Sequence, residues 1–114
     1  LAALVGVDVQ HINVQSNDQM DLVTLTFTNG YVSTIRGFLS NRENFNYAFH
    51  KQQQTIFHAI DGDLTSSYEK LVKRIVHFFE TGEMPIKSEE LLQVIKIVEA
   101  INTSRSLKKE IWLK

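Results

Sequence analysis

Cysteine is absent from the chain, which excludes disulfide scaffolds, thiolate zinc sites and cysteine nucleophiles together. Long apolar runs are missing too, because no stretch approaches the roughly 18 apolar residues that a membrane span needs. The 12 basic and 13 acidic residues are interspersed without a run of like charge, whereas nucleic-acid binding usually leaves a basic stripe. We therefore expect neither a membrane nor a nucleic acid as a partner.

Glycine and proline are also scarce. The five glycines stand singly, so the sequence contains neither a phosphate-binding loop nor a G-x-G-x-x-G fingerprint, and G-x-S-x-G is missing as well. The four histidines show no H-x-x-x-H or H-E-x-x-H spacing, so we expect no metal site. Asp61-Gly62-Asp63 begins like a calcium loop but lacks the later ligands, which favours a plain turn. We expect no catalytic, cofactor-binding or metal-ligating residue in this chain.

The length of 114 residues, 43% of them hydrophobic, predicts a single domain over residues 1–114 with one core. The chain does not begin with Met, and Leu1-Ala-Ala-Leu-Val5 is typical of the end of an apolar segment. We therefore expect it to be part of a longer protein. The compartment is left open, with the cytoplasm favoured.

A hairpin is the strongest local pattern in the first half. Two alternating runs, Asp21 to Thr28 and Tyr31 to Phe38, flank Asn29-Gly30, which favours a two-residue type I′ turn. Paired residue numbers would then sum to 59, and Arg36 would share the more apolar face with Val23. The opposite face would be a Thr/Ser/Ile surface of Thr24, Thr26, Ser33 and Ile35, which we expect at an interface.

Further strands are predicted at Val7 to Gln15, Phe45 to Lys51, Thr55 to Ile60 and Glu110 to Leu113. Apolar residues recur at helical spacing from Tyr68 to Phe79 and from Leu91 to Ile101, with Ser66 and Ser88 as expected N-caps and Gly82 as a helix stop.

The predicted architecture is α+β: an open, mostly antiparallel sheet of about five or six strands with two amphipathic helices on one face. The uncovered sheet face would meet solvent, another domain or another subunit. Arg36, Tyr47 and His50 are candidates for facing a substrate. An edge residue that extends outward to solvent is the favoured interpretation of Arg36, an anionic ligand or a neighbouring domain is the alternative partner, and Tyr47 and His50 share this ambiguity on a predicted strand.

The last fifty residues carry a more specific pattern. His77-Phe-Phe-Glu-Thr-Gly82-Glu-Met-Pro85 precedes the acidic helix start Ser88-Glu-Glu, and Glu99-Ala100 and Ser104 precede a final Ile111-Trp-Leu113. Over residues 64–114 this resembles the C-terminal end of the glucose–fructose oxidoreductase / inositol dehydrogenase / MocA-like (Gfo/Idh/MocA) family, with its helix ending in E-A-x-x-x-S and a short last strand. Lys108 departs from the glycine that is common before that strand.

The resemblance implies an NAD(P)-dependent oxidoreductase acting on a sugar, polyol or related compound. Its N-terminal Rossmann domain would hold NAD or NADP, and the catalytic residues would lie upstream of Leu1. This chain would then be the C-terminal α+β domain, inactive alone, which contributes substrate-pocket wall and forms homo-oligomers through the open sheet face. A free-standing ligand-binding or protein-interaction module with a closed apolar pocket is the alternative. A small hydrolase or isomerase using His50, His58 and Asp61 has little support.

Overall fold

A computed structural model describes residues 6–39, 45–60 and 65–113. The chain divides into two compact units, which we call the sheet unit (Leu1–Asn41 with Ile86–Lys114) and the hairpin unit (Arg42–Pro85). The α+β prediction is confirmed, with two helices and open antiparallel sheets. The expectation of one domain over residues 1–114 stays a prediction. The elements are, in chain order, β1 (Val9–Ser16), β2 (Met20–Phe27), β3 (Val32–Phe38), β4 (Phe45–His50), β5 (Thr55–Ile60), α1 (Thr65–Thr81), α2 (Ser88–Leu107) and β6 (Ile111–Trp112).

The sheet unit is a four-stranded antiparallel sheet in the order β3-β2-β1-β6, with α2 packed against β1 and β6. Alternate residues of β1 and β2 are buried beneath the helix, because successive side chains of a strand point to opposite faces. Ile12, Leu25 and Phe27 are almost completely buried, and each contributes roughly 1.5–3 kcal/mol of hydrophobic stabilisation. The core comprises Val9, Ile12, Val14, Val23, Leu25, Phe27 and Ala100.

A β-bulge near the start of β1 decides which residues reach this core. Val9 pairs with Phe27 and His11 with Thr26, so one extra residue, Gln10, is inserted in β1. Val9 and Ile12 are therefore buried on the same face although they are three residues apart. From His11 onward the strand alternates regularly, and it directs His11 and Asn13 away from the core.

The turn between β2 and β3 differs from the predicted one. The Phe27 amide donates to the Tyr31 carbonyl (2.8 Å) and the Gly30 amide to the Phe27 carbonyl (3.0 Å), so the loop contains three residues. Gly30 has φ +89° but Asn29 does not have a positive φ, whereas a type I′ turn needs positive φ at both positions. Paired residue numbers consequently sum to 58, as in Val23 with Ile35. The predicted register is wrong by one residue.

The end of α2 is joined to the sheet through two small buried residues. Ala100 and Ser104 are the buried residues of this helix, and the Ser104 side chain is fully buried. Ser104 Oγ accepts a hydrogen bond from the Val14 amide (3.1 Å) and donates one to the Lys109 carbonyl (2.7 Å). β6 has only two residues, and they pair with His11 and Ile12 of β1. The Ser104 hydroxyl therefore binds the Val14 amide, which no residue of β6 reaches. Lys108, between helix and strand, is left-handed (φ 53°).

The predicted apolar stripe of α2 is only partly right. Ile97 and Ile101 pack against the core beside Ala100 and Ser104, whereas three residues of the predicted stripe, Leu91, Ile95 and Val98, are exposed. The helix has large apolar side chains on more than one face. The sequence prediction followed those large side chains, whereas the face that packs on the sheet is the one with the small residues Ala100 and Ser104. The two N-cap predictions are also wrong. Ser66 lies inside α1, which begins at Thr65. Ser88 is the first residue of α2, so the N-cap position falls on Lys87, whose side chain forms no cap hydrogen bond.

In the hairpin unit, β4 pairs with β5 from Phe45 opposite Ile60 to His50 opposite Thr55. α1 ends at Thr81, and Gly82 (φ 71°) donates its amide to the Phe78 carbonyl, as predicted for a helix stop. The apolar residues of α1 recur with the predicted spacing and are exposed. No helix within residues 6–39, 45–60 and 65–113 is long and apolar enough to cross a membrane.

Candidate interaction surface on the sheet unit

The sheet unit has one face that α2 does not cover, which we call the open face. The strand pairings arrange its side chains in cross-strand rows, because residues opposite each other on neighbouring strands point to the same side. The longest row crosses all four strands, two others cross three, and the pair Phe38–Met20 crosses two. The three longer rows are Val32–Thr26–His11–Trp112, then Thr34–Thr24–Asn13, then Arg36–Leu22–Gln15.

A histidine, a carboxylate and a tryptophan meet at one edge of this face. His11 Nδ1 lies 2.6 Å from Glu110 Oε1, and the His11 ring lies against the Trp112 ring with centroids 4.5 Å apart. The His11 side chain is 21% exposed, whereas Trp112 remains 59% exposed. These contacts hold the indole at the β6 edge and leave a large part of it available to a partner.

The open face is intermediate between a core and an ordinary solvated surface. Thr24, Thr26 and Asn13 in its centre are half-buried and uncharged. Val32 is 62% exposed at the β3 edge, and Arg36 on the same edge has no salt bridge within the described part of the chain. The centre of this face shares one feature with protein interfaces, whose core is depleted of charged residues.

The predicted interface residues do not all lie on this face. Thr24 and Thr26 do, but Ser33 pairs with Leu25 and Ile35 with Val23, so both point to the face that carries the core. The three-residue loop is the cause, since a shift of one residue in register moves every side chain of β3 to the other face.

The three candidates for facing a substrate are not gathered into one site. Arg36 was expected beside Val23, but it pairs with Leu22 and therefore lies on the open face. Tyr47 and His50 are three residues apart on β4, so they point to opposite faces of the hairpin. Tyr47 stacks on His58 with centroids 5.2 Å apart, and His50 Nδ1 lies 3.0 Å from Thr55 Oγ1.

The remaining chemistry of the described residues is local. His77 Nε2 lies 3.2 Å from Glu83 Oε2, and no group of three His, Asp or Glu side chains suited to a metal occurs within residues 6–39, 45–60 and 65–113. Asp61-Gly62-Asp63 lies outside the described residues.

Two depressions accompany these groups, both within the hairpin unit. One, of about 480 Å³, is lined by Lys51, Gln52, Gln53 and Gln54. The other, of about 400 Å³, is lined mainly by polar residues from Lys73 to Glu83 together with Met84 and Pro85. Both are open to solvent, so neither matches the closed apolar pocket that a free-standing ligand-binding module would need.

No protein-family model matches this chain, and no curated protein or solved structure matches it. The resemblance to the Gfo/Idh/MocA family therefore depends on the quoted residues of the C-terminal half.

Sequence reasoning missed His11, Glu110 and Trp112 as a group. The sequence separates His11 from the other two by about a hundred positions, and only the pairing of β1 with β6 brings them together.

Proposed function

We propose that this chain is the C-terminal substrate and oligomerisation domain of an NAD(P)-dependent oxidoreductase acting on a sugar, polyol or related compound. The observation that carries the proposal is the position of the E-A-x-x-x-S residues. Ala100 and Ser104 are the two buried residues of α2, and Ser104 hydrogen-bonds both β1 and the residue that leads into β6. The quoted pattern thus coincides with the contacts that build the helix onto the sheet.

In this proposal the chemistry is divided between two domains. An N-terminal Rossmann domain binds NAD or NADP, and the acid/base residues lie just upstream of Leu1 on a helix that runs into the C-terminal domain. The present chain supplies part of the pocket wall, with Arg36, Tyr47 and His50 as candidates, and an open sheet face for association with another copy. Such a division accounts for a chain with well-patterned elements and few candidate catalytic groups.

The coding sequence that surrounds this chain provides the first test. We expect about 130 residues upstream of Leu1 that contain a strand, a G-x-G-x-x-G turn and a helix, the arrangement that binds a dinucleotide. The protein that includes this region should oxidise or reduce a polyol or sugar with NAD(P), and the chain of 114 residues should not. An upstream region without a dinucleotide-binding pattern refutes the proposal.

Calorimetry on the isolated chain provides the second test. Titration with NADH and NADPH should give no binding heat, because the proposal assigns the cofactor to the other domain. Micromolar binding to the isolated chain would overturn this division of roles. Light scattering at tens of micromolar protein should report a dimer or larger oligomer, and a monomer there contradicts the oligomerisation role.

A further inference from the structure

We propose that Asn29 is a site of spontaneous modification, at which the chain converts its own asparagine into aspartate and isoaspartate through a cyclic imide. Asn29 lies in the exposed loop between β2 and β3, and it is the only asparagine of the chain that glycine follows. The reaction needs no partner other than water and does not depend on the proposed oxidoreductase role. The hydrogen bonds of the loop determine how fast it proceeds.

The reaction joins the Gly30 nitrogen to the Asn29 side chain. Solvent base removes the proton of the Gly30 amide, the nitrogen attacks Asn29 Cγ, and the bond from Cγ to the side-chain nitrogen breaks as ammonia leaves with that proton. Water then opens the imide at Cγ, which gives aspartate, or at the main-chain carbonyl carbon of Asn29, which gives isoaspartate. Glycine favours the attack because it has no Cβ to obstruct the approach of its nitrogen.

The loop already contacts the oxygen of the reacting carbonyl. The Tyr31 amide donates to Asn29 Oδ1 at 3.1 Å, and this oxygen becomes negatively charged when the Gly30 nitrogen adds to Cγ. A backbone N–H that is aimed at such an oxygen stabilises the charge that develops on it. The Tyr31 amide therefore favours the step that forms the imide.

A second hydrogen bond restrains the nucleophile. The Gly30 amide donates to the Phe27 carbonyl at 3.0 Å, and this bond has to open before the proton can leave. Such local opening needs less free energy than global unfolding, and one hydrogen bond changes an equilibrium by about two- to tenfold. We therefore expect Asn29 to react at most about tenfold more slowly in the folded chain than in the chain unfolded in urea.

The two products should affect the hairpin differently. Aspartate keeps an oxygen that can accept the Tyr31 amide, so the three-residue loop should survive. Isoaspartate inserts one more carbon into the main chain between Phe27 and Tyr31, whose backbone groups are joined by a hydrogen bond of 2.8 Å. The Phe27 amide should consequently exchange its hydrogen faster in the isoaspartate product than in a freshly prepared Asn29→Asp variant.

Peptide mapping by mass spectrometry over a time course in mildly alkaline buffer provides the test, with isoaspartate identified by its enzymatic methylation. Asn29 should be converted first. Asn17 is the internal control, because it is exposed and its Oδ1 accepts the Gln19 and Met20 amides (2.8 and 2.9 Å), but Asp18 follows it. Conversion of Asn17 as fast as Asn29 overturns the proposal, since glycine would then have no part in the reaction.

Gly30→Ala separates the chemistry from the stability of the loop. The substitution strains a residue at φ +89° and loosens the loop, which by itself would speed the reaction. We nevertheless expect conversion of Asn29 to slow by about tenfold, because the added Cβ obstructs the nitrogen. An unchanged rate in Gly30→Ala, or a folded wild-type chain that reacts more than about tenfold more slowly than the unfolded chain, refutes the proposed site.

Discussion

Ser104→Ala should destabilise the sheet unit more than any ordinary serine substitution in the chain. The hydroxyl is fully buried and has two hydrogen-bond partners, the Val14 amide and the Lys109 carbonyl. An unsatisfied buried polar group costs about 1–3 kcal/mol. Val14 is itself buried, so water cannot readily replace the hydroxyl at its amide. Lys109 is exposed, so its carbonyl recovers part of its loss from solvent.

The helix partly offsets this loss, because alanine is a better helix former than serine by about 0.5 kcal/mol. We therefore expect a net loss of about 2 kcal/mol in the free energy of unfolding. With a urea m value of about 1–2 kcal/mol/M for a chain of this size, the midpoint should fall by about 1–2 M. Trp112 is the only tryptophan of the chain and lies two residues after Glu110, in the segment that begins at Lys109. Its fluorescence therefore reports on the region around the Lys109 carbonyl directly.

The matched control is Ser106→Ala, which makes the same chemical change on the same helix at an exposed position. It should alter stability by less than about 0.5 kcal/mol. Hydrogen exchange adds a local measurement: the Val14 amide should exchange faster in Ser104→Ala than the change in global stability accounts for. Equal effects of the two alanine substitutions, with Val14 protection unchanged, would refute the assignment of Ser104 as a structural bridge.

Two pairs of substitutions test backbone conformations directly. Gly30→Ala should cost about 1 kcal/mol by urea denaturation because Gly30 has φ +89°, whereas Asn29→Ala should cost less; equal costs would indicate the two-residue turn instead. Lys108→Gly should stabilise the chain by about 0.5 kcal/mol, since relief of left-handed strain exceeds the added entropy of the unfolded chain. Gly82→Ala, at φ +71°, should lower the thermal midpoint, and a Lys108→Gly variant that does the same contradicts the strain at that position.

The strands and helices could be predicted from sequence because their apolar residues repeat at regular spacing, but the β2–β3 register could not. Asn29-Gly30 is compatible with a two-residue turn and with a three-residue loop that ends in Gly30. The burial requirement decides between them in favour of Val23 opposite Ile35. That one-residue difference moves Ser33 and Ile35 off the predicted interface and moves Arg36 onto the open face.

The candidate site was harder to predict because its parts come from distant segments. Thr24 and Thr26 could be assigned to the open face because β2 alternates regularly. His11 could not be placed without the bulge at Gln10, since an unbroken alternation from Val9 would have put it on the buried face. Tyr47 and His50 share a strand but not a face, so proximity in sequence was a poor guide to a common site.

Ala100 and Ser104 show what kind of information the C-terminal pattern contains. A larger side chain at Ala100 would push α2 away from the sheet, and a residue without a hydroxyl at Ser104 would leave the Val14 amide unpaired. Both residues are therefore needed for the packing of helix on sheet. The pattern thus specifies how α2 packs on the sheet, and it does not specify the association that we propose for the open face. Light scattering on the chain consequently tests the proposed oligomerisation role more directly than any substitution within the pattern itself.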